Sequence, residues 1–230
     1  ILGAWATGFA GLLALRALEG LGFLLVAMPG PGLIRRSVAP SQFNARMGWW
    51  GTYMPAGNAL GLLLGPFVIA QGSWQVWWLL TGAVSALAAL VVWLKVPPDE
   101  RESATATGGE DGWQARLAQT LRSSSPWLVG LTFAVYSCQW TGIVGFLPTV
   151  YAQAGLSAGM AGIMTAVVAA ANLAGNITAG RLLSLGWSAR RCLHIGFAFM
   201  CGCAFVAFAQ FDGADIAPMW LRFMAVVVFS

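Results

Sequence analysis

Residues 47–94 run for 48 positions, and residues 123–180 for 58, without one Asp, Glu, Lys or Arg. A helix crosses a bilayer with about 20 apolar residues, so each stretch holds two spans and a short turn. A soluble domain would instead interleave polar faces at helical or strand spacing. Composition agrees, with 58% apolar residues, 9% charged and a mean hydropathy of +0.73. The expected fold is all-α, a polytopic bundle of transmembrane helices whose first partner is the lipid bilayer.

The charges that remain fix the threading. Ten of the twelve Lys and Arg residues fall in every second connection: Arg35, Arg36 and Arg46; Lys95, Arg101, Arg116 and Arg122; Arg181, Arg190 and Arg191. The connections around 72–75 and 151–159 carry no charge, and the one around 212–215 only acids. Basic residues are retained on the cytoplasmic side, so loops 35–46, 95–125 and 181–192 are predicted cytoplasmic, in a bacterial-type inner membrane. The net charge of +4 is thus a topology signal, and no nucleic-acid partner is expected.

Six full helices are predicted: Leu12–Ile34, Met47–Ala70, Val76–Leu94, Trp127–Pro148, Gly159–Ala179 and Leu193–Phe211. Half a span precedes them and a partial one, from Ile216, follows. Tryptophans such as Trp49, Trp74, Trp78, Trp93, Trp127 and Trp187 cluster near the run ends, where an indole prefers headgroup depth. The polar stretch 96–125 divides residues 1–95 from 126–230 as a linker between two helical halves. Its first part is Pro-, Ser- and Gly-rich. In its second part Trp113, Leu117 and Leu121 repeat at helical spacing, which predicts a short amphipathic helix on the membrane surface or, alternatively, chance periodicity in a loose linker.

Neither a metal site nor a cofactor is expected. Cys201-Gly-Cys203 lacks zinc spacing and His partners, Cys138 and Cys192 lie in or beside apolar runs, and His194 sits at a helix start. No Gly-rich nucleotide-binding signature is present.

Arg16 and Glu19 stand out, since Glu19 is the only acid inside a full helix. An Arg at the bilayer centre costs about 2.5–3.5 kcal/mol on insertion scales, so it needs a reason. Three residues apart on one face, the two can pair as a proton-coupling element, or Arg16 can snorkel to the interface with Glu19 offsetting it. Arg222 lies early in the last helix and is either a cavity cation or an interfacial anchor. Thr132, Tyr136, Gln139 and Trp140 share a face of one helix, as substrate contacts or as helix-helix glue. Asn172 and Asn176, four apart, read as interhelical hydrogen-bonding residues. Gly57, Gly61 and Gly65 share another face, smooth enough for a neighbouring backbone, and Pro66 permits a bend there; static packing and a moving joint both fit.

Three motifs carry a family resemblance. Leu15-Arg16-Ala17-Leu18-Glu19-Gly20-Leu21-Gly22 resembles the opening of the fourth helix of the major facilitator superfamily. Gly57-Asn58-Ala59-Leu60-Gly61 through Gly65-Pro66 resembles its glycine-rich fifth helix. Gly175-Asn176-Ile177-Thr178-Ala179-Gly180-Arg181, with Arg190-Arg191, resembles the loop after its eighth helix, although Ser184 and Leu185 stand where that family usually has an acid. The wording at Gly51-Thr52-Tyr53-Met54-Pro55 and Gly145-Phe146-Leu147-Pro148-Thr149 is similar to its cyanate and nitroimidazole transporter branch.

The resemblance implies a partial major-facilitator bundle, from the end of helix three into helix ten of twelve. It makes the Thr132–Trp140 helix the seventh, a cavity liner, and sets Arg16 and Arg222 in corresponding places beside one central cavity. The expected function is secondary active transport by alternating access rather than an enzyme's chemistry, with protons as coupling ions, a small organic or inorganic anion as solute and a monomer at full length. Drug efflux and a non-transporting receptor or scaffold are the alternatives.

Overall fold

The computed structural model describes residues 2–6, 8–95, 113–211, 214–215 and 217–230. The helices are α1 (Phe9–Ala27), α2 (Pro29–Ser37), α3 (Phe43–Trp50), α4 (Tyr53–Gln71), α5 (Trp74–Lys95), α6 (Trp113–Arg122), α7 (Ser124–Val144), α8 (Leu147–Gln153), α9 (Ala158–Ser184), α10 (Ala189–Phe208) and α11 (Met219–Phe229). A two-residue antiparallel pair, β1 (Gln210–Phe211) with β2 (Ala214–Asp215), joins α10 to α11. Joined end to end, these helices give six spans of 20–32 residues among the described residues, each apolar enough to cross a membrane.

Proline places the breaks within spans. Pro29, Pro55 and Pro148 each lack the N–H that would bond the carbonyl four residues back. The helical ladder is interrupted just before each one, at Met28, at Gly51-Thr52 and at Gly145-Phe146. Thr52 covers its break by donating Oγ1–H to the Trp49 carbonyl at 2.7 Å. The expected helix Trp127–Pro148 is therefore two, because Pro148 starts α8 rather than ending α7. Serines set two starts: Ser157 Oγ accepts from Met160 N–H and Ser188 Oγ from Arg191 N–H, both at 3.3 Å.

Other boundaries shift modestly. The first span begins at Phe9 rather than Leu12, and the sixth ends at Phe208, where Ala209 turns extended, rather than at Phe211. Arg46, Arg181, Arg190 and Arg191 stand in helical end turns that project beyond the apolar runs.

The chain forms two compact units, residues 1–78 with 146–230 and residues 79–145. In the first, α9 is the centre: eight of its residues are buried, against none in α1. The α3–α4 span runs antiparallel along it. A methyl on Gly48 would meet the Asn176 carbonyl oxygen at 2.8 Å and Gly180 Cα at 3.0 Å. Further along, a methyl on Gly162 would meet the Leu62 carbonyl at 3.1 Å and Pro66 Cγ at 3.2 Å. Asn172, itself buried, ties α9 to α11 by donating Nδ2–H to the Ser230 carbonyl, and its Oδ1 accepts from Asn176 Nδ2 at 2.7 Å.

In the second unit Trp127 Nε1 donates to the Leu121 carbonyl at 2.9 Å and pins the α6–α7 corner. The helix expected at Trp113–Leu121 is α6, with Leu117 and Leu121 exposed; the Pro- and Ser-rich part of the expected linker lies outside the described residues. The exposed large apolar side chains on α1, α5 and α7, among them Phe9, Leu25, Trp93 and Val129, are far beyond what a water-soluble surface tolerates and are ordinary for lipid-facing helices.

Candidate functional site

Arg16 is the eighth residue of α1, roughly 10 Å along the axis at 1.5 Å per residue, deeper than a start at Leu12 implies. Its Nη2 lies 3.0 Å from Glu19 Oε2 one turn on. Its guanidinium carbon also stands 4.2 Å from the centre of the Trp78 ring. That indole is held edge-on to Trp74 at 5.1 Å, and a methyl on Gly3 would touch it at 3.3 Å. Arg16 is thus fixed by a carboxylate and an aromatic face together. In water such an ion pair contributes only about 0.3–0.5 kcal/mol. In hydrocarbon the alternative is an unpaired charge, which costs several times more, so there the pairing decides the geometry.

Arg222 stands elsewhere, on α11. Its Nε donates to the Ala207 carbonyl at 2.7 Å, which fixes the side chain against the end of α10. The cavity beside it holds about 230 Å³ between α8, α9, α10 and α11, and no residue of α1 lines it. The structure therefore brings Arg16 to Glu19 and Trp78 but does not bring Arg16 and Arg222 to one cavity wall.

The α7 stripe is that helix's sheltered face: Thr132, Tyr136, Gln139 and Trp140 are half-buried while Phe133, Val135 and Cys138 are exposed. Thr132 already donates its hydroxyl to the Leu128 carbonyl at 2.8 Å, a bond internal to the helix, so its hydrogen is committed. Tyr136 has Phe133 beside it, with ring centres 6.1 Å apart.

Close helix approach falls on glycines other than the expected ones. Nothing among the described residues lies within 4 Å of a methyl on Gly57, Gly61 or Gly175, and Gly65 would meet only the Trp77 ring, at 3.7 Å. Pro66 and Gly180 do take part, against Gly162 and Gly48. Arg181 stands in the last turn of α9, where a cation suits the carbonyl end of the helix. Arg190 and Arg191 open α10, with the Arg191 guanidinium 5.5 Å from the Trp187 ring.

Sequence reasoning missed Trp78, Gly48 and Tyr151 as participants. Trp78 was legible only as a belt residue, and Gly48 has no small-residue repeat around it. Nothing in the sequence around Tyr151 marks its hydroxyl as buried. Among the described residues no group of His, Cys, Asp and Glu could hold a metal ion.

Six spans among the described residues, each apolar enough to cross a membrane, with one ion pair inside the first of them, define a multi-pass helical membrane protein. The sequence profile of the Major Facilitator Superfamily matches residues 1–230, and the chain belongs to that family. It is also similar to the cyanate transport protein CynX of Escherichia coli (strain K12), 26% identical over an alignment of 172 residues that covers 71% of this chain and 41% of that protein. The match thus spans well under half of that relative's length. No solved structure matches the chain.

Proposed function

We propose that the protein is a secondary active transporter that moves a small anion by alternating access, driven by protons. The Arg16–Glu19 pair carries this reading: it is an acid and a cation in contact within a span, and an intramembrane ionisable pair is expensive unless it is used. Protonation of Glu19 would release Arg16 toward an anionic solute, and loss of the proton would restore the pair. Family membership supports transport, and the similarity to a cyanate transport protein supports an anion. The same reading puts loops 35–46, 95–125 and 181–192 on the cytoplasmic side of an inner membrane, and has the full-length protein work as a monomer.

Uptake of radiolabelled cyanate into proteoliposomes of the full-length protein, with and without an imposed pH gradient, tests it. Uptake stimulated by the gradient and lost in Arg16→Ala is expected. Flux of a lipophilic cation without any anion flux would favour drug efflux instead, and ligand binding without flux would favour a receptor.

A further inference from the structure

Four residues, Leu185–Ser188, separate α9 from α10, and their own backbone fixes their shape. Gly186 takes φ +90°, and the N–H groups of Leu185, Gly186 and Trp187 donate back to the carbonyls of Arg181, Leu183 and Leu182 at 3.0, 3.2 and 3.1 Å. Ser188 then caps α10. Leu185 is nonetheless 77% exposed and Trp187 38%. Turns that face water favour Gly, Asn, Asp and Ser, so a leucine and an indole here call for another surrounding.

Arg181, Arg190 and Arg191 flank the two apolar side chains and are exposed as well, the Arg191 guanidinium lying against the Trp187 ring. Among the described residues none of the three has a carboxylate partner, and no Asp or Glu occurs anywhere in residues 112–211. Arginines alone would say no more than which side of the membrane a turn occupies. Arginines interleaved with exposed apolar side chains on a rigid turn complement a surface that is anionic outside and apolar just beneath, as a phospholipid layer is. A soluble acidic partner would meet the charges and leave Leu185 and Trp187 in water.

We propose that the α9–α10 turn is a docking surface for an anionic phospholipid, with Arg181, Arg190 and Arg191 around its phosphate and Leu185 and Trp187 against its acyl chains. The guanidinium forks match phosphate oxygens. This goes beyond transport and holds whatever the solute is.

Native mass spectrometry of the full-length protein in detergent, titrated with phosphatidylglycerol and phosphatidylcholine, tests it. Each arginine near an anionic lipid surface contributes about fivefold in affinity, so Arg190→Gln/Arg191→Gln is expected to weaken phosphatidylglycerol binding at least about tenfold. Arg190→Lys/Arg191→Lys is expected to keep most of the binding. Arg190→Gln alone leaves the Arg191–Trp187 contact in place, and about a fivefold loss is expected at an unchanged melting temperature, which keeps the test decisive if the double variant folds poorly. Arg35→Gln/Arg46→Gln removes the same charge elsewhere and is expected to cost much less. Equal binding of the two lipids, or equal losses from the two Gln pairs, overturns the proposal. So does displacement of the lipid by excess glycerol phosphate, since the turn would then hold a free phosphate and not a membrane lipid.

Discussion

Gly48 and Gly180 stand backbone to backbone: a methyl on Gly180 would lie 2.8 Å from Gly48 Cα, and one on Gly48 would lie 3.0 Å from Gly180 Cα. The contact joins α3 to α9, and neither helix can yield there by moving a side chain. Overpacking of this kind costs about 1–3 kcal/mol. Gly48→Ala and Gly180→Ala are therefore expected to lower the melting temperature of the detergent-solubilised protein. Gly57→Ala and Gly61→Ala, with nothing among the described residues within 4 Å of the added methyl, are expected to leave it unchanged or slightly raised. Thermal melts of the four variants read the difference directly.

Pro66 and Gly162 form the second contact of the same seam. Pro66 cannot donate to the Leu62 carbonyl, and that oxygen is the atom facing Gly162. Pro66→Ala restores the donor and lets the Leu62 carbonyl rejoin its own helix. A straighter α4 is the expected result, with looser packing against Gly162. A cysteine pair introduced at Leu62 and Gly162 should then cross-link more slowly in the Pro66→Ala background than in the parent.

Arg16, Glu19 and Trp78 act as one cluster, so their substitutions should not be additive. Glu19→Gln is expected to abolish accumulation driven by a pH gradient while sparing solute exchange, which needs no net proton movement. Trp78→Ala removes a cation–π contact worth about 0.5–2 kcal/mol. It should lower stability more in the Glu19→Gln background, where the Arg16 guanidinium has lost its carboxylate and leans on the indole, than in the parent. A double-mutant melting cycle gives the coupling.

Asn172 links α9 to α11 and accepts from Asn176. Asn172→Ala removes both bonds at once. Interhelical hydrogen bonds in membrane proteins average about 0.6 kcal/mol and reach about 1.7. A measurable but partial loss of stability is expected, read by the midpoint of denaturation in mixed detergent.

The sequence made the spans legible to within a few residues, because charge-free length and proline position act locally. Pro148 was read as an end and is instead a beginning, since its missing N–H is cheapest in a first turn. The pairing of Arg16 with Glu19 followed from spacing alone. Trp78 could not be tied to them, because α5 is distant in the chain. Gly57 and Gly61 looked like the smooth face from their repeat, yet the structure uses Gly48 and Gly162, whose partners lie more than ninety residues away. Tyr151 shows the same limit: a buried, unpartnered hydroxyl is a property of packing and leaves no local mark.

The most direct test of the membrane threading is single-cysteine labelling in sealed right-side-out spheroplasts, with the native cysteines replaced by Ala. Ser157 lies in a connection without charge, and Ser188 lies between Arg181 and Arg190. A membrane-impermeant maleimide is expected to label Ser157→Cys in intact spheroplasts and Ser188→Cys only after permeabilisation. Labelling of both before permeabilisation, or of Ser188→Cys alone, would contradict an alternating path with its arginine-bearing turns on the inner side.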